Sequence, residues 1–303
     1  MQTRSDSSRL SRLLRLATYA SVATAGILIA GKLVAWLMTG SVSVLASLVD
    51  SMMDVAASLI NLFAVRYSLM PADKEHRFGH GKAESLAGLA QATFIAGSAV
   101  FLMLHAFDRL LHPRPLEDVA VGIGIMVFAI VSTLVLLAIQ RHVIRETGST
   151  AIRADSLHYL TDLLTNASII IALLLAGFGW QGADSVFAMG IVLYILYSAW
   201  HIGHDAFQLL MDRELPDEQR EQIRRAALAH AQVRGIHDLR TRRSGQDLFI
   251  QMHMELDDDL SLLDAHAIAD AVDLEIRKRY PEADIIIHKD PYGLEENPGP
   301  RPQ

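Results

Sequence analysis

Four residues in otherwise apolar stretches have types and spacing suited to chemistry. Asp50 and Asp54 are four apart, and so are His158 and Asp162. Four apart on a helix is one face, so each pair presents two neighbouring groups that bind protons or metal. Three carboxylates and one imidazole make an oxygen and nitrogen set of the number and type that holds a tetrahedral divalent ion, zinc above all. The absence of sulfur leaves Fe²⁺, Mn²⁺ and Cd²⁺ open. The rival reading is that these charges pair with one another, or with Lys32, and only tie helices together. An ionisable group in hydrocarbon costs from roughly 2.5–3.5 kcal/mol upward, so two such pairs at compatible depth weigh toward a functional cavity.

Two further sets have ligand spacing. Asp73, His76 and His80 form a D-x₂-H-x₃-H cluster between two apolar stretches. That spacing brings three ligands to one ion on a tight turn; a solvated loop with two chance histidines is its rival. After the apolar region come His237, His253, His266, His288 and Asp290. His237 begins one expected strand, His253 lies on the next and His288 ends a third, so strands of one sheet can gather several ligands. Lys32, Asn61, Asp155 and Asn166 read as cavity-lining or interhelical hydrogen-bonding groups. His105, Asp108, His201, His204 and Asp205 read as interfacial.

The elements that must position these groups follow from the hydropathy pattern. Hydrophobic residues are 51% of the 303-residue chain and charged residues 20%. Six long apolar stretches fall at about 13–38, 42–69, 82–111, 118–143, 152–177 and 183–210, each meeting the roughly 20 residues a spanning helix needs. Through Met211 there are 14 basic and 14 acidic residues, and from Asp212 onward 13 and 20, so the second part carries the whole net charge of −7. This predicts a membrane domain over 1–211, a soluble domain over 212–292 and a disordered tail over 293–303. Arg and Lys flank the N-terminus, the 2–3 loop and the 4–5 loop, which places both termini in the cytoplasm. Counted from those boundaries, Asp50 and Asp54 lie roughly 12 and 18 Å into the membrane, and His158 and Asp162 roughly 9 and 15 Å.

The soluble part reads as a helix over 216–231 and strands over 235–243 and 247–256 joined by Ser244-Gly245-Gln246. A second helix over 262–280 and a strand over 283–288 follow. The fold class is therefore a mainly α membrane protein of six transmembrane helices followed by a small cytoplasmic α+β domain of order α-β-β-α-β.

Several classes are excluded. Without cysteine there is no disulfide framework, thiolate metal site or cysteine nucleophile. The acidic soluble part argues against nucleic acid as a partner. No phosphate-binding G-x-x-x-x-G-K-[ST] loop and no nucleophile motif occur, so neither a nucleotide nor an enzyme activity is expected. The apolar run after Arg15 is too long, and lacks the small-residue site, for a signal peptide.

Five stretches carry a resemblance: 47–54 (SLVDSMMD), 77–84 (RFGHGKAE), 154–162 (ADSLHYLTD), 210–214 (LMDRE) and 237–242 (HDLRTR). Over about residues 10 to 292 the chain resembles the cation diffusion facilitator family, most closely its YiiP-like ferrous-iron and zinc efflux branch. The resemblance implies a homodimer of six-span protomers in the inner (plasma) membrane, with a metallochaperone-like cytoplasmic domain. It implies a transport site at Asp50, Asp54, His158 and Asp162, and a loop site at Asp73, His76 and His80. It implies a cytoplasmic binuclear site at His237, His253, His266, His288 and Asp290. A salt bridge at the membrane–cytoplasm junction would fall on Lys82 and Asp212. Aspartate at position 50, where zinc-restricted relatives often have histidine, fits the broader-specificity branch.

The expected activity is efflux of Zn²⁺, with Fe²⁺, Cd²⁺ and Mn²⁺ as further candidates, in exchange for protons. Zinc ions would be both cargo and structural or regulatory ions. Ligands must be deprotonated to bind metal, so loading releases protons. Imidazole, with an ordinary pKa of about 6.5, makes His158 the natural proton switch. A metal channel and a membrane-anchored metal sensor are the alternatives.

Overall fold

The computed structural model describes residues 3–40, 42–111, 119–177 and 183–293; the side chains of some helical residues, those of Asp50, His105 and 172–177 among them, lie outside that description. Of the expected tail over 293–303, only residue 293 lies within the described residues. Two compact units divide the chain: Arg4–Leu210, and Met211–Gln303 together with Met1–Thr3.

The first unit consists of six long helices: α1 Thr3–Thr39, α2 Val42–Ser68, α3 Lys82–Leu111, α4 Val119–Thr147, α5 Thr150–Gly177 and α6 Ala183–Leu210. Glycines with positive φ end two of them. Gly40 (φ 63°) donates its N–H to Trp36 O at 2.7 Å after α1, and Gly148 (φ 66°) donates to Ile144 O at 2.8 Å after α4. Ser149 then caps α5, its Oγ accepting the Ile152 N–H at 3.2 Å.

Five of the helices are long and apolar enough to cross a membrane: α1, α2, α3, α4 and α6. α5 carries Arg153, Asp155, His158 and Asp162 in its first half. Its place in the bundle accounts for this. α5 packs on α2, α3, α4 and α6, so its polar side chains meet protein rather than lipid. Small residues let the helices approach closely: Ala92, Ala99, Ala154 and Ala199 lie in the buried cluster of α3, α5 and α6. At Gly88 the approach is closest to α5, where an added Cβ would stand 3.1 Å from the Thr150 carbonyl carbon.

The second unit has α7 Asp217–Leu228, β1 Gly235–Ser244, β2 Asp247–Leu256, α8 Leu262–Arg277 and β3 Asp284–Pro291. The sheet order is β1-β2-β3, with β1 antiparallel and β3 parallel to β2. Alternation along β2 sorts its two faces. Leu248, Ile250, Met252, Met254 and Leu256 are buried with Ile223 and Ala227 of α7 and with Ile268, Ala269, Val272 and Ile276 of α8. Gln251, His253 and Glu255 take the opposite face. Both expected helices end earlier than the sequence suggests, and β3 runs three residues further. That extension, paired with β2 as far as Leu256↔Pro291, takes Asp290 into the sheet.

Candidate metal centres

The site in the helical unit joins two helices. Asp54 on α2 and His158 on α5 meet at 3.0 Å, Oδ1 to Nε2. Asp162, one turn along α5, places Oδ2 4.0 Å from the same nitrogen. One ligand atom from each of Asp54, His158 and Asp162 lies within 4.8 Å of the others. His158 and Asp54 are largely buried and Asp162 is 39% exposed, so the cluster is enclosed on one side and reachable on the other. Asp50 precedes Asp54 by one turn of α2, but its side chain lies outside the described residues.

Hydrogen bonds hold this pair of helices in register. Tyr159, fully buried, accepts or donates a bond with Ser58 Oγ at 2.9 Å and donates to Ser21 O at 3.2 Å. Lys32 on α1 reaches across to α2. Its Nζ donates to Ser51 Oγ at 2.6 Å and to Ser47 O at 3.1 Å, so among the described contacts it ties α1 to α2. Asn166 donates to the backbone oxygen of Asp162 at 2.8 Å, which steadies the turn that carries the carboxylate. Asp205, expected at the interface, accepts from Arg153 at 2.8 Å.

The second cluster is built by a turn. Asp73 Oδ1 accepts the N–H groups of Glu75 at 2.9 Å and His76 at 2.6 Å, an Asx turn that folds the loop back on itself. Gly79 (φ 77°) completes the reversal. Asp73 then faces both imidazoles, His76 Nδ1 at 3.4 Å and His80 Nε2 at 3.3 Å. The His80 ring is buried against Tyr67, and its Nδ1 stands 3.4 Å from Met70 O. A tautomer with the proton on Nδ1 would donate to that carbonyl and leave Nε2, beside Asp73, as the ligating nitrogen. The backbone N–H of His76, with that of Glu75 and the nearby imidazoles, holds the Asp73 carboxyl below the usual carboxylate range.

The third cluster is a row across the sheet. His237, His253 and His288 are register partners on β1, β2 and β3. Their rings are in contact, with centroids 5.1 Å apart for His237–His253 and 4.6 Å for His253–His288. Asp290 lies on the same face of β3 and is nearly buried. It reaches His253 Nδ1 at 2.8 Å, His288 Nε2 at 3.0 Å and His237 Nε2 at 3.4 Å. A bulge between His237 and Arg240, with Asp238 at φ 50°, turns the end of β1 so that His237 joins the row. His266 does not join it in this arrangement: it sits on α8, exposed, 3.6 Å from Asp270. Glu255 is the residue that sequence reasoning missed. Its Oε1 is 3.1 Å from His237 Nδ1, and it pairs in register with both Gly235 and Asp290. The signal was there, since residues two apart on a strand share a face, and His253-x-Glu255 is such a pair.

Comparison with known proteins shows the family. A family model described as the cation efflux transmembrane domain matches residues 18–211, and one described as the cation efflux protein cytoplasmic domain matches residues 215–292. The chain belongs to the cation efflux family. Among its relatives, the cation-efflux pump FieF of Yersinia pestis (strain Pestoides F) is 54% identical over 281 residues, covering 93% of this chain and 94% of that one. The FieF pump of Klebsiella pneumoniae is 54% identical over 280 residues, 92% and 93% of the two chains. Of solved structures, the metal-bound C-terminal domain of the CzcD transporter from Thermotoga maritima is 31% identical over 26% of this chain and 93% of that one, with a TM-score of 0.25. The cation efflux assignment bears out the resemblance read from the five motifs, and with it a multi-pass membrane protein that is a transporter rather than an enzyme.

Proposed function

We propose that this chain exports divalent transition-metal cations from the cytoplasm by exchange for protons. The observation that carries the reading is the meeting of Asp54, His158 and Asp162 from two helices inside the membrane unit. Asp50, one turn before Asp54, is the fourth ligand. The relatives named as cation-efflux pumps support the direction and the class of cargo. An oxygen and nitrogen set accepts Zn²⁺ first, with Fe²⁺, Cd²⁺ and Mn²⁺ as further cargo.

The exchange follows from competition. A dication and a proton need the same lone pairs of imidazole and carboxylate, so each drives the other off. A near-neutral cytoplasm favours metal, and a more acidic exterior favours protons and release. Alternating access around a fixed site gives antiport without a nucleotide.

The other two clusters suit resident ions. Asp73, His76 and His80 would hold one at the loop, and His237, His253, His288 and Asp290 would hold metal on the sheet, with His266 as a further ligand of a binuclear site. Their imidazole and carboxylate donors match zinc. Such ions would clamp the soluble unit or sense metal. The working form is a homodimer in the inner membrane with both termini cytoplasmic. The topology rests on the arginine and lysine content of the loops.

The test is zinc flux into proteoliposomes carrying a zinc-sensitive dye, with an imposed pH gradient. The wild-type chain moves Zn²⁺ and Asp162→Ala does not. Equal flux from the two proteins overturns the assignment.

A further inference from the structure

The mechanism above leaves one buried carboxylate unused. Asp155 lies on α5, three residues before His158, and is fully buried. Three residues is about one helical turn, roughly 4.5 Å of rise, so Asp155 shares the α5 face nearest the metal ligands. Among the described hydrogen bonds and ion pairs, no lysine or arginine side chain reaches it. Gln140 on α4 donates Nε2 to its Oδ2 at 2.7 Å, and Gln91 on α3 donates Nε2 to its Oδ1 at 3.3 Å. The Ser21 hydroxyl on α1 reaches the same carboxyl. The His158 imidazole and the Tyr159 phenol of its own helix are the titratable groups that feel its charge, while the carboxylates of the packed helices are engaged elsewhere. Asp54 on α2 meets His158, Asp205 on α6 meets Arg153, and Glu84 on α3 meets Ser149 and Thr150.

A buried carboxylate with only neutral donors is costly as an anion, and a dication one turn away removes that cost. The Gln140 amide can bond either state of the carboxyl. With Asp155 ionised, both amides donate to it. Gln140 Oε1 is buried and has no hydrogen-bond partner. A half-turn of that amide, which exchanges its oxygen and nitrogen, lets the oxygen accept an O–H from a protonated Asp155.

We infer that Asp155 is a proton-binding site of the transport cycle apart from the metal ligands. It holds a proton while the Asp54–His158–Asp162 site is empty and gives it to water on the open side when the dication loads. Gln140 turns with it. This rests on the exchange reading above and adds to it a carrier that never touches metal.

The experiment is the number of protons moved per Zn²⁺ by the full chain in proteoliposomes, read with a trapped pH dye beside the zinc dye. Asp155→Asn keeps zinc flux and moves about one proton fewer per ion than wild type. An unchanged ratio overturns the inference and leaves the exchange reading standing. A wild-type chain that moves zinc without protons overturns both. Gln140→Met keeps Asp155 and removes the turning amide. It retains the wild-type ratio but shifts the pH of half-maximal exchange, and an unshifted profile also counts against the inference. Should Asp155→Asn fail to reach the membrane folded, the Gln140→Met profile decides.

Discussion

His158 Nε2 and Asp54 Oδ1 stand 3.0 Å apart although 104 positions separate them in the chain. Neither helix would hold an ion there alone. α2 supplies carboxylate, α5 supplies imidazole and a second carboxylate, and the cluster exists only while the two helices keep their register. Under the proposed function, cargo binding would be coupled to helix packing, the property that alternating access requires.

Removing one side of that contact tests the coupling. Asp54→Asn keeps the shape and removes the charge that faces the imidazole. Zinc flux is expected to fall at least about tenfold, since even groups one step removed from a metal change affinity by 10- to 100-fold. Flux within twofold of wild type counts against Asp54 as a ligand.

Helix spacing has its own test at Gly88, where α3 lies against the start of α5. Gly88→Leu puts a branched side chain where even a Cβ is tight against backbone. The expected cost is about 1–3 kcal/mol of stability, read as a lower midpoint of thermal unfolding in detergent, with reduced zinc flux. A midpoint equal to wild type would show that the two helices are not packed this closely.

The loop cluster makes a prediction with a sign. Asp73 is held below the usual carboxylate range mainly by the His76 N–H. A depressed carboxyl contributes fully above its unfolded value and loses its contribution only as pH falls through the lower folded one. The Asx turn therefore persists unchanged between pH 7 and 5 and loosens below the ordinary aspartate range. Amide exchange at Glu75 and His76, corrected for intrinsic rate, checks this. Asp73→Ala removes the protection at every pH, and protection fading between pH 7 and 5 in wild type contradicts the account.

On the sheet, Asp290 contacts three imidazoles and His288 sits at the end of the row. Asp290→Asn is expected to weaken zinc binding by the full chain at this cluster more than His288→Ala does, by calorimetry against a background lacking the loop ligands. The reverse order would mean that Asp290 is a spacer between histidines rather than the shared ligand.

Much of this was legible before any fold was known, for reasons of period. The i,i+4 spacing put His158 and Asp162 on one face of α5, while their meeting with Asp54 of α2 needed the fold. The helical unit's outline followed from the same length argument. The sheet row was only half legible. Strand register depends on the bulge at Asp238 and on how far β3 extends, and neither is written in a local pattern. Glu255 was overlooked because glutamate on an exposed face usually meets water, and here the Gly235 opposite leaves room for it to turn toward His237. Asp155 read as an interhelical group, and its position among Gln91, Gln140 and Ser21 needed four helices in three dimensions.

The central claim is that Asp54, His158 and Asp162 ligate the exported ion. Anomalous-difference density from zinc-loaded crystals at the zinc edge tests it most directly. A peak within about 2.0–2.2 Å of Asp54 Oδ, His158 Nε2 and Asp162 Oδ is the expected result. Peaks at the loop and sheet clusters with none between α2 and α5 would contradict it.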